Sequence, residues 1–231
     1  MSTHFPPATR KFLRGLAKHN DRDWFEARRD IYESAVRTPM LALIEEINAA
    51  MEDFAPEHVR PPHKIMMRIY RDTRFAKDKR PYKNNIAAWW ARRGMEKTSG
   101  GGFYLHLKPD ELLVSAGVYM PEREQLYKIR QHLTAQHEEF RALHGGVLRA
   151  RGLGFTTIDG QPLTRTPKGF AKDSPADDLI RAQNWGVHAF LPATLAEEPK
   201  LAREIIKRFR TAAPLVDFLN APLLQRTDKP F

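Results

Sequence analysis

Apolar positions recur every three or four residues along the first fifty residues, every two through the middle of the chain, and every three or four again towards its end. The first helical stretch covers residues 5 to 20. It is entered through Pro6-Pro7, with Thr9 as a candidate N-cap and Phe12, Leu13 and Leu16 on its inner face. Asn20 or Asp21 can cap the next, in which Trp24, Phe25, Ile31, Tyr32 and Ala35 fall at helical spacing up to an interruption or restart at Pro39. Met40, Leu43, Ile44, Ile47, Met51 and Phe54 continue the rhythm, and Pro56, Pro61 and Pro62 end it.

From Lys64 the period is two. Ile65, Met67 and Ile69 would share one side of a strand, with Lys64, Met66, Arg68 and Tyr70 on the other. Asp72 to Pro81 is too polar and irregular for a central strand and reads as a loop. Asn85 to Arg92 predicts a strand with Trp89 and Trp90 on opposite faces, and Gly94 to Gly102 a flexible connection. A hairpin follows. Phe103, Leu105 and Leu107 share a face with Leu112, Val114, Ala116 and Val118 if the loop holds an even number of residues. Because Pro109 disfavours the primed two-residue turns, a four-residue loop, Pro109 to Leu112, is expected. The other face mixes Tyr104, His106, Leu113, Ser115, Gly117 and Tyr119.

Pro121 starts a long helix that Gly145-Gly146 should stop. Extended pieces then surround a turn at Asp159-Gly160, and a loop from Pro167 to Pro175 leads to a short helix at residues 177 to 183. A strand at residues 185 to 191 and a last helix from Ala193 to Arg210, broken near Pro214, complete the reading. Helices, then strands, then helices with a late strand lack the alternation of a parallel sheet. The expectation is an α+β fold, a mostly antiparallel sheet with helices packed against it, as a single domain over residues 1–231.

Composition adds charge to this picture. The 231 residues, 42% hydrophobic and 29% charged, have the makeup of a soluble globular protein, with a net charge of +10 that favours anionic partners. Nine Lys/Arg against two Asp between Arg60 and Lys83 supply +7 of that excess. The absence of cysteine excludes disulfides, thiol catalysis and cysteine-ligated metal centres. No apolar run has signal-peptide or membrane-spanning length, so a cytoplasmic protein without a membrane partner is expected. No HExxH, P-loop, GxSxG or dinucleotide fingerprint occurs, and neither a metal nor a cofactor is expected. Oligomeric state leaves no mark in the sequence.

The basic excess lies in KIMMRIYRDTRFAKDKRPYK, residues 64 to 83, where cations alternate with aromatics. Arg68, Arg71, Arg74, Lys77, Lys79, Arg80, Tyr82 and Lys83 are the candidate anion-binding residues, since guanidinium and ammonium groups on a structured frame bond phosphate or carboxylate oxygens. Lys168, beside Gly169 in a proline-bounded loop, is a further candidate. The bland alternative is a solvated edge. Arg71 falls on the apolar side and needs a partner. Asp72 cannot share its strand face, so Asp78 or a distant acid fits better, and an internal Arg–Asp clamp is a rival role for Arg71. Candidates for moving protons are Asp72, Asp78, His106 and His188, with His106 and His188 able to converge with Tyr104 and Ser115.

The string RIYRDTRFAKDKRPYKN resembles the signature of a widespread, mostly bacterial family of uncharacterised proteins, the domain of unknown function 2461 family. The resemblance extends to NDRDWFEARRDIYE, FYLHLKPDELLVSAGVY, PKGFAKDSPADDLIR and APLVDFLN, roughly residues 5 to 220, which implies one domain and brings no activity with it. Three functions stay open. One is a binder of a phosphate-bearing anionic ligand, either a nucleotide-like molecule or nucleic-acid backbone. Another is an enzyme acting on a phosphorylated or carboxylated substrate. The third is a structural or interaction protein whose motif is an internal salt-bridge clamp.

Overall fold

Pro7 occupies the first turn of a helix, where its missing N–H is no loss, and α1 runs Pro7–Lys18. The computed structural model describes residues 3–95, 100–158 and 160–224; Ser99 of the expected connection and Asp159 of the expected turn lie outside them. Phe12, Leu13 and Leu16 turn inward as expected. Thr9 does not cap α1. Pro6 holds that position, and the Thr9 hydroxyl, buried one turn further on, donates to the Ala35 carbonyl.

Asp21 caps α2 (Arg22–Glu26), accepting from the Trp24 amide at 2.8 Å. The helix expected through residue 35 is broken into α2, α3 (Arg29–Ile31) and a π-helical turn, Tyr32–Arg37, that feeds α4 (Thr38–Met51). Pro39 stands in the first turn of α4, where its missing N–H again costs little. Met40, Leu43, Ile44, Ile47 and Met51 form the buried stripe of α4. Asn48 shares their burial and bonds through both ends of its amide. Its amide donates to the Arg60 carbonyl at 2.8 Å, and its oxygen accepts the Trp90 indole N–H at 2.9 Å. His58, in a 3₁₀ turn at Pro56–His58, bonds the Trp90 carbonyl through Nδ1 at 2.9 Å. α5 (Pro62–Ile65) follows.

The strands are β1 (Ile86–Ala91), β2 (Gly102–Leu107), β3 (Glu111–Val118), β4 (Thr156–Thr157) and β5 (Trp185–Pro192), in one antiparallel sheet of order β1-β2-β3-β5-β4. The β2–β3 hairpin has the expected buried face, but its loop is shorter. The Lys108 amide donates to the Glu111 carbonyl at 2.8 Å, leaving Pro109 and Asp110 alone at the tip. Helix α1 holds that tip. Arg10 Nε donates to the Pro109 carbonyl at 2.9 Å, and Arg14 pairs with Asp110 at 3.2 Å. β3 and β5 approach closely at Gly117 (φ 139°), where an added Cβ would lie 2.3 Å from the Trp185 carbonyl oxygen.

The long helix expected after Pro121 is two, α6 (Arg123–Ala135) and α7 (His137–Leu148), parted at the non-helical Gln136. A capping box of Glu122 and Gln125 starts α6. α7 runs past Gly145-Gly146, which do not stop it. After α8 (Asp177–Arg181), α9 (Leu201–Leu224) carries Pro214 and Pro222 inside it. The expected break at Pro214 is absent because Ala213, Leu215 and Val216 are buried on either side, and that packing outweighs one lost backbone bond.

The fold is α+β, as expected. Contacts group the described residues within Met1–Trp90, Tyr104–Val114 and Phe190–Arg208 into one compact unit and those within Ala91–Phe103, Ser115–Ala189 and Phe209–Phe231 into another. In the second unit, Phe218 packs on Phe140 and His132, and buried Asn220 brackets Gly101, accepting its N–H at 2.7 Å and donating to its carbonyl at 3.1 Å. The first unit contains the basic motif. Among the described residues no helix is long and apolar enough to cross a membrane.

Replacing Asn48 with alanine takes the partner from the Trp90 indole and the Arg60 carbonyl together. Urea unfolding should show a loss of about 1–3 kcal/mol; an unchanged midpoint would mean that water replaces the amide.

Candidate anion-binding site

The motif is extended but does not form the strand that its alternation predicts. Lys64 and Ile65 belong to α5, and the segment beyond pairs at two isolated antiparallel bridges, Met66 with Ala88 and Tyr70 with Tyr82. From Met66 to Tyr70 is four residues, and from Tyr82 to Ala88 is six, so the second side carries two extra. They are taken up where the chain bends at Asn84 and Asn85, and the interrupted ladder leaves no continuous strand. Backbone bonds from Arg71 to Pro81 and from Lys83 to Ile69, both 2.8 Å, close the base of the loop.

Two side chains fix that base. Asn20 brackets the Tyr82 backbone, its amide donating to the Tyr82 carbonyl and its oxygen accepting the Tyr82 N–H, both at 3.0 Å. The Tyr82 ring, 3% exposed, stacks on Phe25 at 4.3 Å between centroids and lies 5.4 Å from Tyr70. Burial pushes its phenol up from the ordinary value.

The loop braces itself with charge. Asp78 receives Arg80 through its backbone amide and guanidinium, and receives Arg71 Nη1 at 2.6 Å. Arg71 donates as well to the Arg80 carbonyl at 3.3 Å. These bonds, Arg80's first, hold the Asp78 carboxyl far below its usual range. Asp72 binds Arg74 through two guanidinium nitrogens and the backbone amide, which hold it down at about 2. Lys79 donates to the Thr73 carbonyl at 3.0 Å.

Three of the candidate anion-binding cations are left over. Among the described residues, Arg68, Lys77 and Lys83 make no side-chain hydrogen bond or ion pair. Lys83 is half-buried, and its ammonium is pushed down by burial and by the neighbouring Arg68 charge. Arg68 lines a cleft of about 410 Å³ with Phe25, Tyr32, Met66, Met67 and Tyr70. Arg29, Glu33, Arg37 and His63 add polar groups to this cleft; Arg29 is tied to Glu26 at 2.6 Å and Arg37 to Glu33 at 3.2 Å. Lys83 lines a second cavity of about 280 Å³ with Asn20, Arg71, Asp78, Arg80 and Asn84. Periodicity gave no sign of Arg29, Arg37 or His63 as cleft residues, because they lie outside the basic run.

The other candidates sit elsewhere. His106, on β2, joins Tyr104 Oη at 3.2 Å and Glu111 Oε1 at 3.0 Å, and Glu111 also takes Lys108 at 2.8 Å. Burial pushes His106 down, against the Glu111 charge, and favours the neutral ring. Ser115 donates to the Val187 carbonyl at 3.0 Å. His188, buried on β5, and Lys168, exposed in the turn before Phe170, belong to the second unit.

A family model described as "Conserved hypothetical protein (DUF2461)" matches residues 8–218. No curated protein matches the chain.

Asn20→Ala should speed hydrogen exchange at the Tyr82 and Arg71 amides while α4 keeps its protection, since the bracket touches the loop base alone. The Asp72 brace carries a pH signature. Its folded value, about 2, lies below the ordinary 3.8, so the pair is intact above about pH 4 and is lost as the pH falls through about 2. The ¹⁵N shift of Arg74 Nε should report that window; a transition near neutral pH would contradict it.

Proposed function

The chain belongs to the DUF2461 family of conserved hypothetical proteins, and from that premise we propose that it binds a phosphate-bearing anionic ligand beside Arg68. One observation carries the reading. The loop's acids are consumed by Arg71, Arg74 and Arg80, while Arg68 and Lys83 stand close enough for one to depress the other. These two neighbouring cations repel, and the Asp72 charge that also reaches Arg68 is already paired with Arg74, so an anion bound to both cations relieves that repulsion with charge-assisted bonds. The cleft beside Arg68 adds Phe25, Tyr32, Met66 and Met67, which suit a ligand with a flat apolar part next to its phosphate, as in a nucleotide-like molecule or a nucleic-acid chain.

This reading divides the motif. Arg68 and Lys83 contact the ligand, with Lys77 and Lys79 at the rim. Arg71, Arg74 and Arg80 brace the loop through Asp72 and Asp78, and Tyr82 is the pillar under it. Lys168 has no part in it. The clamp role therefore explains half of the motif and leaves the unpaired cations to a ligand.

An enzymatic role is less well supported. A carboxylate tied to one or two guanidinium groups and held far below its usual range is a poor proton acceptor. His106 is engaged with Tyr104 and Glu111.

Calorimetric titration with inorganic phosphate, nucleoside phosphates and a short oligonucleotide, at several ionic strengths, tests the proposal. At least one probe should bind at low salt, and replacing Arg68 and Lys83 together with glutamine should weaken it about 10- to 100-fold. Failure of every phosphate-bearing probe to bind at low salt would overturn it.

A further inference from the structure

Resting on the anion-binding reading, we propose that the ligand is a single-stranded nucleic acid and that Phe75, at the tip of the basic loop, stacks on one of its bases. Phe75 is 95% exposed, whereas Met120, also among the exposed large apolar side chains, reaches 64%. A slack loop would explain such exposure without a function, but this loop is tied at every level. Its base is bracketed by Asn20, its flanks are joined by the Arg71–Asp78 pair, the Arg74–Asp72 pair braces one limb, and its tip turns through an Ala76-to-Thr73 backbone bond and the Lys79 bond to Thr73. The fold holds the ring out in water.

The chemistry around the ring suits a polymer that offers one phosphate and one base per unit. Tyr70, 48% exposed, and Phe75 lie along the segment between the unpaired Arg68 on one side and Lys77 and Lys83 on the other. Aromatic rings on a basic track bind single strands, because every base has a face to stack and phosphates need only cations. In a duplex the base faces are already stacked on one another, so a ring at a loop tip finds no partner without kinking the helix. A membrane is the poorer fit. One phenylalanine is a small apolar contact, far short of the apolar area that anchors a protein to a bilayer.

The test measures fluorescence anisotropy of labelled single-stranded DNA and RNA and of a duplex of equal length, for the full chain and for Phe75→Ala and Phe75→Trp. Phe75 touches so little that both variants should keep the wild-type melting temperature. Expected are single-strand binding stronger than duplex binding and a loss of about 5- to 100-fold in Phe75→Ala. Phe75→Trp should keep the affinity, with its indole fluorescence quenched on binding, while affinity for a free nucleoside monophosphate stays unchanged in both variants. Unchanged oligonucleotide affinity in Phe75→Ala overturns this inference and leaves the anion site standing, as does a wild-type protein that binds nucleotides but no oligonucleotide. Phe75-dependent binding to phosphatidylserine vesicles without oligonucleotide binding assigns the loop to membranes and overturns it. Binding of neither phosphate nor oligonucleotide overturns both readings.

Discussion

Everything about the basic loop depends on how Tyr82 is held. Asn20 takes both backbone groups of Tyr82, and Phe25 takes its ring, so one residue is fixed by two segments some sixty positions earlier in the chain. Phe25 is anchored in turn against Phe12 and Tyr32, in the cluster where α1 meets the π-helical turn. The amphipathic helices at the start of the chain thus set the position of a loop that has almost no apolar content of its own.

Above that pillar the loop relies on charge, and the magnitudes define what charge can do there. The Asp72–Arg74 and Asp78–Arg80 pairs are solvent-exposed, and pairs of that kind add little to global stability. Their geometry is more informative than their energy. Each aspartate also accepts the backbone amide of its own arginine two residues on, so the pairs fix backbone and side chain together. Asp78 reaches across to Arg71 as well and joins the two limbs of the loop. With two acids among seven cations, the bracing consumes three arginines and leaves the remainder to the outside.

Much of this was legible in the sequence where a period exists. The buried faces of α1 and α4, the strands at β1, β2, β3 and β5, and the shared face of the hairpin all follow from spacing. Arg71, on the apolar side of an alternating segment, called for Asp78 or a distant acid as its partner, and the Asp78 pair forms. What spacing could not reveal is bonding between distant segments. Asn20 looks like a cap residue until Tyr82 is placed beside it, and Arg29 and Arg37 look like helix surface until the cleft is assembled. Pro214 misled for a related reason, since its local cost is visible in the sequence and the burial that offsets it is not. The ladder shift at Asn84-Asn85 likewise turned a well-alternating segment into two isolated bridges.

Side-chain amides recur where regular pairing gives out. Asn20 on Tyr82, Asn220 on Gly101 and Asn48 between Arg60 and Trp90 each present one donor and one acceptor to groups that no ladder or helix serves. At the loop this has a consequence for binding. A surface that had to order its side chains around a ligand would give up about 0.5–1.5 kcal/mol for each long side chain immobilised. Here the backbone beneath Arg68 and Lys83 is set before any ligand arrives, by Asn20 on one side and by the Asp78 hub on the other. The ordering of the frame is charged to folding, so an anion bound as proposed would have to order only the Arg68 and Lys83 side chains themselves.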